Sequence, residues 1–197
     1  MNNNQQQNYQ TNKPRKQRLE LTWIGKDEEL KLEPRILIED PEKSYGDPNS
    51  ENMLIHGDNL LALKALEQDY AGKVKCIYID PPYNINAAGV PYDDFIENSL
   101  WLSLMKPRIE SIYKLLDSDG LLAVQIDDQQ FAKLYLLISE VFLGEVNLKT
   151  IVVKMSEASG LKMGAVKRAG IIPKFKEYII LAKKGGIRNL QLKYIPK

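Results

Sequence analysis

The stretch VKCIYIDPPYNIN, Val74–Asn86, decides how the rest of the chain is read. VKCIYI is a continuous apolar run rich in β-branched and aromatic residues, the pattern of a strand buried on both faces. It ends abruptly in an acid, two prolines and a tyrosine. In open α/β sheets, ligands collect outside the carboxyl ends of the strands, and Asp80 stands at such an end. Pro81 and Pro82 have fixed φ and no N–H, so the carbonyls at this corner are expected to point outward. A carboxylate beside an outward carbonyl forms a pair of fixed acceptors, suited to a planar group with two N–H donors such as an exocyclic amine. Tyr83 adds a flat π-face for a heterocycle. A plain turn after a strand is the competing reading of Asp-Pro-Pro-Tyr.

Alternation of strands and helices extends from this point in both directions. MLIH (53–56) reads as a short strand, and Asp58 or Asn59 as the cap of a helix over LLALKALEQ. A loop to about Phe95 precedes a helix near 97–116, which Pro107 should kink or divide. DSDG reads as a turn, LLAVQID (121–127) as a strand and DQQFAKLYLLISEVFL as an amphipathic helix. LKTIVVK (148–154) and EYIILAK (177–183) read as two further strands. The expectation is an α/β domain with a largely parallel sheet. Asp127 and Asp128 read as helix caps, His56 as core packing, and Cys76 as a small buried hydrophobe.

The chain divides by composition into a disordered basic tail (1–18) and an N-terminal arm (19–52) interrupted by Pro34, Pro41 and Pro48. A catalytic α/β region (53–153) follows, then a basic segment with a further strand (154–197). With 197 residues, 44% of them hydrophobic, the chain is long enough for one domain with a buried core. The formal net charge of +1 conceals segregation: residues 154–197 hold 11 basic and 2 acidic residues. Such a block suits a polyanion, and equally a solvated lysine-rich face. Lys162, Lys167, Arg168, Lys174 and Lys176 are its candidate DNA contacts. The single cysteine allows no internal disulfide, no metal-ligand cluster is visible, and no apolar run is long enough to span a membrane. A cytoplasmic protein without a metal is expected.

Methylation of a nucleobase amino group fits the corner. The lone pair of such a nitrogen is delocalised into the ring; accepting both of its hydrogens in hydrogen bonds localises the pair and stabilises charge developing during attack. The base must leave the duplex, at a cost of roughly a few kcal/mol, of which stacking on Tyr83 could return about 1–3 kcal/mol. Asp58 is a candidate contact for a cofactor's amino group as well as a helix cap.

From about Leu21 to Lys184, and most specifically over residues 21–84, the sequence resembles the modification subunit of type III restriction–modification systems. These are β-group DNA amino-methyltransferases that use S-adenosylmethionine. The resemblance implies a Rossmann-like methyltransferase sheet. It makes Asp80, Pro81, Pro82 and Tyr83 the catalytic motif, with Asp80 also beside the cofactor, and the acid of Gly57-Asp58 the contact to the cofactor's adenine. ENSLWLSLMKPRI, DGLLAVQIDD and FKEYIILAKK resemble later motifs. Asp at the first motif position implies adenine-N6 methylation of duplex DNA; cytosine-N4 is the alternative base, and a non-catalytic DNA- or partner-binding remnant the alternative class. The family implies a homodimer and a restriction-subunit partner. Its Phe-x-Gly-x-Gly loop does not occur in these residues, and DPPYNINAAG lacks a glycine soon after the asparagine. An incomplete sheet is therefore expected, with basic residues leading toward a target-recognition region. The isolated chain is expected to be inactive without the missing carboxy-terminal part.

Overall fold

A computed structural model describes residues 20–28, 30–47, 49–83, 97–142, 147–155 and 175–185. Within these, seven elements follow the order α1 (Asn59–Tyr70), β1 (Val74–Ile79), α2 (Asn98–Leu115), β2 (Leu116–Ile126), α3 (Asp128–Val141), β3 (Leu148–Lys154) and β4 (Lys176–Lys183). The strands form one sheet in the order β1-β2-β4-β3.

Only the β1–β2 pair is parallel; β2–β4 and β3–β4 are antiparallel, so the sheet is mixed rather than largely parallel. The difference is one of connection. Parallel neighbours need a crossover, which α2 supplies between β1 and β2, whereas β4 returns between β2 and β3 with opposite polarity. The resulting architecture is α/β, as expected.

Period-two alternation sorts the sheet into two faces. Leu122, Val124 and Ile126 of β2, with Ile180 and Ala182 of β4, point to one side and are fully buried. They pack against Trp101, Met105, Ile109 and Ile112 of α2 and against Leu134, Leu137 and Ile138 of α3. The other side carries Tyr78, Ala123, Gln125 and Ile179, in register across β1, β2 and β4.

Several expectations are corrected. Residues 53–56 do not form a strand: they pair with no ladder, and Met53 and Leu54 are exposed. Among the described residues only β2 pairs with β1, and VKCIYI is not covered on both faces, since Tyr78 and Cys76 are exposed. His56 is exposed rather than core. Pro107 lies inside α2 without dividing it. DSDG belongs to β2, where the register jumps from Val74↔Leu116 to Cys76↔Leu121, so the expected turn is an irregularity within a longer strand. A Cβ on Gly120 there would come within 2.9 Å of both the Val74 carbonyl and Leu116 Cδ2, which is why glycine occupies the position.

The segment before the helices is pinned at one end. The Trp23 indole donates to Ser103 Oγ at 2.9 Å. Lys26, buried, donates to the Leu21 carbonyl (2.7 Å), Glu20 (2.8 Å) and Glu140 (3.1 Å), while Lys106 reaches the Lys26 carbonyl at 2.8 Å. Residues 20–26 are thereby tied to α2 and α3. Ile36 and Ile38, further along, remain exposed.

Candidate active site

β1 ends at Ile79, and the chain turns at Asp80 with no helix to cap. Asp80 is exposed and Pro81 buried, which seats the corner while leaving the carboxylate in water. The Pro82 carbonyl accepts the Trp101 indole N–H at 2.9 Å, and Trp101 is itself fully buried. That bond anchors the corner to the core. It also engages the Pro82 oxygen, so of the two proline carbonyls Pro81's is the one to consider beside Asp80.

Tyr83 is half-buried against the core cluster. Its hydroxyl donates to Glu177 Oε2 at 3.1 Å, reaching past the end of β2 to β4. Gln125 Nε2 donates to the same oxygen at 2.6 Å, and Tyr78 donates to Gln125 Oε1. Burial, then the Glu177 carboxylate, push the Tyr83 hydroxyl far above the ordinary tyrosine range, with Asp80 adding to the effect through a hydrogen bond. Tyr83 is therefore a neutral donor whose oxygen is fixed and whose ring is oriented by that bond.

A second cluster surrounds Asp58. Its Oδ1 accepts from the Leu60 and Leu61 N–H groups at 2.9 and 3.1 Å, capping α1. Its Oδ2 lies 3.7 Å from Arg108, whose other nitrogens bind Asn59 Oδ1 and the Leu104 carbonyl, both at 2.7 Å. Burial lowers the guanidinium's pKa and Asp58 partly offsets this. Beside these groups is a cavity of about 410 Å³ with walls from Leu30, Leu32, Leu60, Leu61 and Leu104. Its polar groups are Asp58, Arg108 and Ser103, so the leucine walls come with both an acceptor and a cationic donor, a lining that suits a flat heterocycle bearing an amine and ring nitrogens.

Asp127, read as a cap, caps α3 by accepting from Gln129 and Gln130 at 3.0 and 3.3 Å. Lys176 lies 3.2 Å from Asp128 and also donates to the Tyr178 hydroxyl on its own strand. Lys162, Lys167, Arg168 and Lys174, the other basic candidates, lie outside the described residues, as does the loop from Asn84. Sequence reasoning missed Glu177, Gln125 and Arg108. Glu177 carried one signal: it is an acid opening an otherwise apolar strand. Among the described residues no group of three His, Cys, Asp or Glu could hold a metal, and no helix is long and apolar enough to cross a membrane.

The N6/N4 methyltransferase family, described as DNA methylase, matches residues 74–196. A probable type III restriction–modification enzyme HindVI Mod subunit of Haemophilus influenzae is 42% identical over 123 residues, 61% of this chain and 16% of that protein. The type III restriction–modification enzyme StyLTI Mod subunit of Salmonella typhimurium is 30% identical over 213 residues, covering 90% of this chain and 32% of that protein. This chain thus spans less than a third of the length of either relative. Among solved structures, the M1.HpyAVI–SAM complex aligns with a TM-score of 0.44 at 15% identity, covering 66% of this chain and 52% of that one.

Proposed function

This chain belongs to the N6/N4 DNA methylase family, and from that premise we propose that it carries the catalytic corner of an adenine-N6 DNA methyltransferase of a restriction–modification system. The observation that carries the reading is Asp80: a carboxylate in water at the end of β1, followed by two prolines that contribute no N–H to it.

The amine of an extruded adenine would give its two hydrogens to Asp80 and the Pro81 carbonyl, with Pro82 tied back through Trp101. This draws the nitrogen toward tetrahedral geometry and holds its lone pair out of the ring. The Tyr83 ring offers the stacking surface. When nitrogen accepts the methyl group it must lose one hydrogen; Asp80, open to solvent, is placed to receive that proton and release it to water.

S-adenosylmethionine, when bound, supplies the electrophilic methyl group. The cavity beside Asp58 fits the adenine end of that cofactor, with leucine walls for the ring and a carboxylate for its amine. Duplex DNA as substrate and a restriction subunit as partner accord with the names of the Mod-subunit relatives, and a second copy of the chain is proposed as a further partner. The basic residues from Lys162 to Lys176 are the proposed phosphate contacts.

The test is tritium transfer from S-adenosylmethionine to unmethylated plasmid DNA by the product of the intact locus, followed by mass spectrometry of the nucleosides. N6-methyladenine is expected. N4-methylcytosine would overturn the choice of base, and salt-dependent DNA binding without any transfer would overturn the enzyme.

A further inference from the structure

Three adjacent strands contribute to one hydrogen-bonded chain on the face of the sheet away from α2 and α3. Tyr78 of β1 donates to Gln125 of β2, which turns the Gln125 amide nitrogen toward Glu177 of β4. Glu177 Oε2 receives that nitrogen at 2.6 Å and the Tyr83 hydroxyl at 3.1 Å. One carboxylate oxygen thus collects two donors, one from the sheet and one from the corner. Glu177 cannot swing away without leaving the Gln125 amide unpaired, and Gln125 is oriented in turn by Tyr78. The far end of the Tyr83 side chain is held from the sheet, while its backbone is held next to Pro82, whose carbonyl binds Trp101. A ring fixed at both ends has a set tilt.

We propose that Glu177 is a positioning residue that sets the Tyr83 ring as the stacking wall for the extruded base, acting through the Tyr83 hydroxyl and touching neither base nor cofactor. The assignment deepens the methyl-transfer reading and rests on it for what the wall receives. The neutrality of the Tyr83 hydroxyl accords with it, because only a protonated phenol donates to a carboxylate.

Two readouts test it independently. In the first, 3-fluorotyrosine is placed at position 83 and its fluorine resonance is titrated with pH. Removing the carboxylate in Glu177→Gln or Glu177→Leu should move the phenol's midpoint to lower pH; an unmoved midpoint in both variants overturns the contact. In the second, methyl transfer by the product of the intact locus is measured against DNA concentration. Glu177→Leu should raise KM for DNA about tenfold, the size expected for one hydrogen bond to a charged group, with a smaller change in kcat. Glu177→Gln, which keeps an oxygen for both donors, should recover to within about twofold of wild type. Tyr83→Phe should match Glu177→Leu, and the double variant should be no worse than either single one. Additive losses, or a Gln variant as impaired as Leu, overturn the assignment. If wild type transfers no methyl group, the methyltransferase reading falls, and the fluorine titration still decides whether Glu177 holds Tyr83.

Discussion

The carboxyl ends of β1 and β2 lie side by side, each followed at once by an aspartate, and the two aspartates have opposite fates. Asp127, after β2, is almost fully buried and accepts the Gln129 and Gln130 N–H groups at the start of α3. Asp58, at the start of α1, does the same with Leu60 and Leu61. In both cases the donors are the second and third residues along, the usual geometry of a helix cap. After Asp80 the second residue is Pro82, which has no N–H, and no helix begins. Asp80 stays exposed. Proline at this spacing withholds the backbone donor that would otherwise claim the acid, so the Asp80 carboxylate meets solvent and the Tyr83 hydroxyl instead of a helix start.

The sharpest way to break the comparison is to remove the acid. Asp80→Ala should lower methyl transfer by a factor on the order of 10²–10³, the scale for losing one stabilising group aimed at developing charge. Circular dichroism should be unchanged, since Asp80 is exposed and caps no helix. An active alanine variant would show that the two strand ends do not differ in the way claimed. A subtler change makes β1's corner resemble β2's: Pro82→Gln restores an N–H two residues after Asp80. Transfer should then fall about tenfold, the size expected when a carboxylate is engaged by one charged hydrogen bond. Full activity in this variant would mean that proline there serves only the turn.

Much of this was legible in the sequence, and what was missed shares a cause. α1, α3, β3 and β4 lie close to where periodicity and turn residues placed them, because each pattern is local. The capping roles of Asp58 and Asp127 were equally local. VKCIYI is less buried than its pattern suggests because an apolar run specifies what a strand tolerates and not what surrounds it; among the described residues β1 pairs with one strand and leaves Tyr78 and Cys76 exposed. MLIH failed as a strand for the same reason, having no ladder partner among the described residues. Strand polarity was misjudged because it follows from the path between β3 and β4, which no period-two pattern records. At the site, Asp80 to Tyr83 could be read as a unit. Glu177 could not, because it meets Tyr83 across 94 positions of sequence. Arg108 was hidden in the same way, 49 positions from its partner Asn59.

Removing the other acid should have the opposite signature. Asp127→Ala removes the cap acceptor of the Gln129 and Gln130 N–H groups, the second of which is buried. The expected loss is about 1 kcal/mol, lowering Tm by roughly 2–4 °C for a chain of this size. Once folded, the variant should retain its KM for DNA. A large change in KM with an unchanged Tm would make Asp127 a site residue and erase the distinction between the two strand ends.

The smallest effect concerns the phenol that only β1's corner carries. Burial, Glu177 and Asp80 raise the Tyr83 hydroxyl's pKa in the folded chain, whereas in the unfolded chain it titrates at about 10. Below that pH the group is neutral in both states and stability does not depend on its titration. Above it the unfolded state releases the proton and the folded state keeps it, so the group's contribution is lost as pH rises. Tyr83→Phe has no proton to release. In thermal melts of wild type and Tyr83→Phe between pH 8 and about 11, wild type should therefore lose stability relative to Tyr83→Phe as pH rises above about 10, because only wild type carries this alkaline penalty. A gap that stays constant across the range would mean that the Tyr83 hydroxyl meets water in solution. The β1 corner would then hold its acid in place without the tether to β4 that distinguishes it from the capped end of β2.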